Sequence, residues 1–297
     1  MGSPADPALG LTEVLQDFLT ADAIEDLSGR VRRGEAVTTM TGHHVIKVRT
    51  SAQPYYLMAL GNERRFLALG LDLPVGLPKV VLADFTEARG ILVLEKIEGQ
   101  PLAEQREGGG LAWSVQRDVL ALVAAMQRTA FNQATLPEGS SPPYDRNEKA
   151  RQHLVALSSL GEEPAGRVVG VLKKVVGRLD PGTPPVLSHG DLHPANVLRS
   201  GEQFRFVDWE YAGTRPSSYD PATFVLYAND PRDGVAMLPH VGGPWNVREL
   251  YEDALILTAR QVKNWLTAGP GGTLARKRAA VWAEAIELLV EVGRFYR

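Results

Sequence analysis

The chain has 297 residues, 44% of them hydrophobic and 23% charged, which is the composition of an ordinary globular protein and excludes a disordered or fibrous one. Its 35 acidic and 32 basic side chains leave a formal net charge of −3, so no single-sign field marks it for nucleic acid or an anionic membrane surface. Cysteine is absent, which removes disulfides, thiolate metal sites and cysteine nucleophiles together and suits a reducing, cytoplasmic setting.

The N-terminal stretch carries Asp6, Glu13, Asp17 and Asp22 where an export signal needs early positive charge and an unbroken apolar run. The most apolar stretches, 119–126 and 285–290, fall far short of the roughly 20 residues that cross a bilayer. Residues 11–33 have apolar side chains near helical spacing (Leu11, Val14, Leu15, Phe18, Leu19), predicting one or two short helices. From 36 to 60, AVTTM, HHVIKVRT and PYYLMAL are β-branched and aromatic runs punctuated by Gly42 and Pro54, and they predict three antiparallel strands. NERRFLALGL predicts a helix stopped at Gly70, and KVVLADF and RGILVLEKI predict two more strands. The expected product is a small sheet with one helix inserted after its third strand.

EGQPLAEQREGGGL, with Gly99, Pro101 and the triple glycine 108–110, is the natural hinge. Beyond it, period-3.6 spacing predicts helices over 113–129, 146–160, 167–179, 247–266 and 274–295. The expected class is α+β, with a small antiparallel-sheet lobe over 1–97 and a larger helical lobe over 98–297.

One segment interrupts the helical part: PVLSHGDLHPANVLRSGEQFRFVDWEYAG, residues 185–213. Its short apolar runs predict strands around a tight polar loop, across which stand Asp191, Asn196 and Asp208. Phosphoryl transfer from a nucleotide needs a carboxylate to take the proton of the attacking hydroxyl and oxygen ligands for Mg²⁺ on the phosphates. Taken singly, the same residues are ordinary turn, cap and strand-end side chains. His189 and His193 beside these carboxylates also admit a metal-hydrolase cluster, although they lack the helical i, i+4 spacing usual for zinc. Asp220, followed by Pro221, is expected to cap a helix.

HGDLHPANVL followed by VDWE closely resembles the catalytic loop and metal-binding segment of the aminoglycoside phosphotransferase and choline kinase family, relatives of the protein kinases. That resemblance implies a protein-kinase-like two-lobed fold, ATP or GTP with Mg²⁺ as cofactors, and a hydroxylated small molecule as acceptor, with no nucleic acid or membrane partner. By position it makes Asp191 the catalytic base and Asn196 and Asp208 the Mg²⁺ ligands. It makes His189 the first residue of the catalytic loop, and Glu95 to Ile97 the hinge that meets the adenine. It sets His193 near the phosphates or acceptor, and has an Asp near Asp220 steady the loop from below. Trp209 and Glu210, beside Asp208, are further candidates for the acceptor site, although an aromatic such as Trp209 is more often core than contact.

The resemblance also implies a lysine on the third strand, paired with a glutamate on the next helix. The strand position in PYYLMALGNERRF is Met58, which leaves Glu63 without that partner. Three readings stand: Lys47 on the preceding strand substitutes, with His43 on its face; the strand register is displaced; or the chain is a nucleotide-binding pseudokinase. The acceptor is expected to be an antibiotic or related metabolite, with a metabolic sugar, amino-alcohol or amino-acid kinase as the alternative. Residues 238–297 hold 6 acids against 8 bases, so no acidic surplus marks a polycation site there. The assembly is expected to be a monomer or homodimer.

Overall fold

The computed structural model describes residues 6–105, 110–130, 144–180, 184–267 and 272–293. Packing divides the chain into two compact units: the residues up to Gln100 joined by Leu198–Ala212, and the remainder. The sequence division at 97/98 leaves the segment after the catalytic loop with the helices, whereas its packing puts it in the first unit.

The first unit opens with α1 (Leu11–Leu15) and α2 (Ala21–Arg32). Thr20 caps α2 by accepting the Ala23 N–H at 3.4 Å, and Arg30 and Arg32 in its last turn complement the helix dipole. Four strands follow in the order β1-β2-β4-β3, all pairings antiparallel: β1 (Val37–Met40), β2 (His44–Thr50), β3 (Val80–Phe85) and β4 (Arg89–Glu95). Ile46 and Val48 of β2 and Ile91 and Val93 of β4 point to one face, where they form a core with Leu11, Leu15, Ile24, Leu27 and Val31. Strand alternation therefore sends Lys47, opposite Thr38 and Leu92, to the other face.

Between β2 and β3 runs α3 (Pro54–Leu67), and here the sequence expectation is corrected. PYYLMAL is not a third strand but the first two turns of this helix, with Pro54 at its start, where a missing N–H costs nothing. Tyr55, Tyr56 and Met58 are exposed while Ala59, Leu60, Glu63, Phe66 and Leu67 are buried, a helical spacing that overrides the β preference of the aromatics. The helix thus follows the second strand, Met58 is no strand position at all, and Lys47 is on the strand directly before the helix that carries Glu63.

The second unit takes over near β5 (Gln100–Pro101). Of the triple glycine only Gly110 falls within the described residues. Next come α4 (Trp113–Gln127), α5 (Arg146–Ser158) and α6 (Glu163–Val175), then the short strand β6 (Val186–Ser188). The hairpin β7 (Val197–Ser200) and β8 (Gln203–Phe206), which from Leu198 onward belongs to the first unit, follows in the chain, its turn made by Gly201 at φ 62°. β9 (Gly213–Arg215) pairs antiparallel with β6. The chain ends in α7 (Tyr219–Ala228), α8 (Pro231–Met237), α9 (Val247–Thr267) and α10 (Thr273–Gly293). No helix among the described residues is long and apolar enough to cross a membrane.

A buried ion network ties α5, α7 and α9 together. The fully buried Arg146 grips Asp253 through Nε and Nη2, both at 2.8 Å, and also donates to Ser218 Oγ at 2.9 Å and Glu249 at 3.1 Å. The planar guanidinium is the side chain that can satisfy so many acceptors at once away from water.

Candidate active site

In the first unit, Lys47 on β2 donates from Nζ to Glu63 Oε2 and to Asp208 Oδ1, each at 2.6 Å. The lysine side chain is 7% exposed and Glu63 fully buried, while Asp208 is 38% exposed. Burial works against the ammonium, but the two carboxylates outweigh it and hold Lys47 above its ordinary pKa. Lys47 is therefore the charged partner of Glu63 that the sequence seemed to lack. His43, by contrast, lies just before β2 and is exposed.

Asp208 follows β8 and is the one non-glycine residue with positive φ among those described, at φ 68° and ψ 61°. Aspartate tolerates this left-handed conformation better than bulkier residues, and such backbone strain persists where surrounding packing fixes it. Trp209 supplies that packing: its indole lies fully buried, stacked on Phe66 with centroids 4.9 Å apart, and donates to Phe206 O at 2.9 Å. Its backbone N–H donates to Glu63 Oε1 at 3.1 Å. Trp209, expected near the acceptor, is instead a wedge under Asp208. Asn62 holds the following turn, donating to the carbonyls of Glu210 and Ala212 at 3.0 Å each.

Glu210, expected near the acceptor, joins Glu63 and Asp208 in a set whose oxygens lie within 4.8 Å of one another. Burial and then the Asp208 charge push its carboxyl up to about 7. Glu95 and Ile97 stand at and just beyond the end of β4. The Glu95 N–H is taken by Lys79 O at 2.9 Å, and the neighbouring Lys96 N–H by His43 O at 2.8 Å.

In the second unit, β6 leads into the loop His189 to Asn196. Asp220 is not the N-cap of α7, a place held by Ser218; it lies in the first turn, fully buried. Its carboxylate accepts from Ser188 Oγ (2.9 Å), the His189 N–H (2.8 Å) and the Gly190 N–H (3.0 Å). Gly190, at φ 83°, turns the chain, and His189 Nδ1 receives the Asp191 N–H at 3.4 Å. Asn196 Nδ2 donates to the Asp191 carbonyl at 3.0 Å, which fixes its amide and leaves its oxygen as the remaining acceptor.

The Asp191 carboxylate, 25% exposed, has His193 Nε2 at 3.5 Å from one oxygen and Arg260 Nη2 at 3.4 Å from the other. Burial pushes its pKa up, but the His193 hydrogen bond, then Arg260 and the two histidines, outweigh burial and hold it below the ordinary carboxylate range. A carboxylate kept ionised and partly open to solvent can accept a hydroxyl proton. His193 in turn leans on the Tyr227 ring at 5.8 Å. Arg260 and Tyr227 are site residues that the sequence does not mark. Their helices are mostly apolar, and a basic or phenolic side chain among buried neighbours carries no local pattern that distinguishes a site from a core.

The fold resembles solved kinase-like enzymes. Aminoglycoside 2′-phosphotransferase-IIIa in its GDP complex matches with a TM-score of 0.61 at 17% identity, over 88% of this chain and 90% of that one. Macrolide 2′-phosphotransferase MphH from Brachybacterium faecium gives 0.56 at 18% identity, over 88% and 98%. A choline/ethanolamine kinase family protein from Mesorhizobium loti gives 0.56 at 16%, over 88% and 90%. At this level of identity the likeness is one of fold, which is kinase-like. Residues 33–252 match the phosphotransferase enzyme family (APH), and the chain belongs to that family. Membership makes it a small-molecule phosphotransferase in class, with hydroxyl groups as acceptors. The protein LicA homolog of Mycoplasma capricolum subsp. capricolum is 30% identical over 79 residues, 27% of this chain. The match spans 32% of that protein's length.

Proposed function

We propose that this chain transfers the γ-phosphoryl group of ATP or GTP to a hydroxyl of a hydroxylated small molecule of antibiotic or related type. The observation that carries the reading is Asp191, an ionised carboxylate set on a loop whose backbone is fixed by Asp220. Antibiotic phosphotransferases among the fold neighbours support the acceptor class. The first unit serves as the nucleotide-binding lobe and the second as the acceptor lobe.

In this reading Asp191 orients the acceptor hydroxyl and takes its proton as the oxygen attacks the γ-phosphorus. Lys47, held charged by Glu63, neutralises the α and β phosphates, and the backbone of Glu95 to Ile97 meets the base. Asp208 and the Asn196 amide oxygen would hold Mg²⁺, with Glu210 a further oxygen donor. The donor set fits, since a hard cation takes carboxylate and amide oxygens and three carboxylates already lie together around Asp208. When bound, the ion supplies charge neutralisation on the transferring phosphate. His193 bridges Asp191 to the acceptor side, and His189 shapes the loop from within the core.

The test is Asp191→Asn assayed against an acceptor panel by mass gain of one phosphoryl group. Turnover should collapse while Mg²⁺-nucleotide affinity stays near wild type, because the base acts on the acceptor. Undiminished kcat in that variant refutes the assignment. A metabolic kinase is the second reading, favoured by the arginine rather than a carboxylate that stands beside Asp191.

A further inference from the structure

Helix α9 buries Leu255, Ile256, Ala259 and Val262 and presents Arg260 and Lys263 one turn apart, about 4.5 Å along the axis. Arg260 is a fixed group. Nη1 meets the Tyr219 hydroxyl at 3.1 Å, Nη2 meets Asp191 Oδ1 at 3.4 Å, and Nε is buried with no hydrogen-bond partner among the described residues. Helix α5 packs against α9 and brings His153 and Lys149, themselves one turn apart. His153 is buried, and its imidazole is held down to about 4, first by burial and then by Lys263, Arg260 and Lys149 in that order. Burial and then Arg260 and Lys149 also hold the Lys263 ammonium below its ordinary value. Three cations thus share one neighbourhood around a neutral ring.

Arg260 is compensated: the Tyr219 and Tyr227 hydroxyls and Asp191 outweigh burial and hold its guanidinium above its ordinary value. Lys263 and Lys149 are not, since neither has a carboxylate within ion-pair distance among the described residues, and Lys263 is held down. Like charges gathered in partly desolvated surroundings repel unless an anion joins them. A polycation brought to Asp191 would meet that repulsion at once, whereas an anion would relieve it.

We propose that Arg260, Lys263 and Lys149 form the specificity wall of the acceptor site, and that the acceptor carries an anionic group, a carboxylate or a phosphate, close to the hydroxyl that is phosphorylated. The proposal rests on the reading of Asp191 as the base of a phosphotransferase. It names the charge class of the acceptor, which that reading leaves open, and it disfavours an aminoglycoside.

The experiment is a transfer assay on sugar and polyol acceptors in matched forms, for example glucose, glucosamine, glucuronate and glucose 6-phosphate, with a polycationic aminoglycoside alongside. Nucleotide is saturating and kcat/KM is the readout. At least one acidic form should exceed its neutral counterpart by tenfold or more, the amino forms should be the poorest, and the carboxylate and phosphate arms tell the two anions apart. Lys263→Glu should cut the acid-over-neutral ratio by about tenfold, and added salt should lower it too. Arg260→Lys should keep the preference and Arg260→Gln lose it. Because Arg260 also touches Asp191, Lys263→Glu decides if the Arg260 variants fold poorly. Neutral or amino forms that match or exceed the acids overturn the inference, as does an acid preference that Lys263→Glu leaves unchanged; in both cases transfer that depends on Asp191 leaves the phosphotransferase reading standing. Absence of transfer to every acceptor overturns that reading and this inference with it.

Discussion

Replacing Lys47 separates what it does for the fold from what it does for the nucleotide. The ammonium bonds two carboxylates at 2.6 Å, one of them fully buried. Lys47→Met strands the Glu63 charge, and removing one partner of a buried ion pair costs about 3–5 kcal/mol. Two features favour the low end: Glu63 keeps the Trp209 N–H at 3.1 Å, and Asp208, 38% exposed, can be rehydrated. About 3 kcal/mol in a chain of 297 residues lowers Tm by roughly 5 °C. The double variant Lys47→Met/Glu63→Gln removes the stranded charge and should regain most of that loss. It should not regain nucleotide binding: a missing charge-assisted contact to phosphate is worth about 1.5–3 kcal/mol. That is roughly a tenfold to hundredfold weaker Kd. Scanning calorimetry reads the first quantity and titration with Mg²⁺-nucleotide the second. Wild-type nucleotide affinity in the double variant would refute the assignment of Lys47 to the phosphates, and an unchanged Tm in Lys47→Met would refute the ion cluster as a structural element.

Arg146→Met should cost about 3–5 kcal/mol by leaving Asp253 and Glu249 buried without their cation, and Arg146→Lys should recover only part because one ammonium cannot replace the two-pronged grip; urea unfolding checks it, and a loss below about 1 kcal/mol contradicts it. His153 sets an acid limit: its folded pKa of about 4 lies below the unfolded value of 6.5, so unfolded chains bind the proton first and stability falls as pH drops from 6.5 towards 4. The group accounts for about 3 kcal/mol of that fall, and His153→Gln should flatten the profile of unfolding free energy in that window; an unaltered slope rules it out. Asp208→Asn keeps a residue suited to φ 68° and should stay within about 1 kcal/mol of wild-type stability. Its Mg²⁺-nucleotide affinity and turnover should both drop, and equal affinity by calorimetry would reassign Asp208 to structure.

The strands of β1 to β4, the long helices and the loop from His189 to Asn196 were legible because periodicity, glycines and an extended motif each gave a local signal. Helix α3 was not. Its first turns are tyrosines and an exposed methionine, whose strand preference is decided against only by what Leu60, Glu63 and Phe66 bury. Reading residues 54–60 as a strand moves the expected lysine position to Met58, a whole element past Lys47. Trp209 was misread for a related reason, since an aromatic beside a catalytic carboxylate looks the same in sequence whether it faces a ligand or supports the backbone. Arg260 acts across an interval of 69 residues, at which spacing says nothing, and the hold of Asp220 on the loop about 30 residues before it comes from the family resemblance and not from spacing.

The hold of Asp220 on the loop also bears on how the enzyme comes into being. Ser188, His189 and Gly190 find their acceptor only on a helix that is synthesised some 30 residues later, so the loop cannot be finished before α7 has docked. Closing that interval is a loop-closure cost met during folding, before any substrate arrives. The shape of the loop is thereby a property of the folded second unit, and a local opening of α7 would abolish it without touching a single group that meets the reacting atoms.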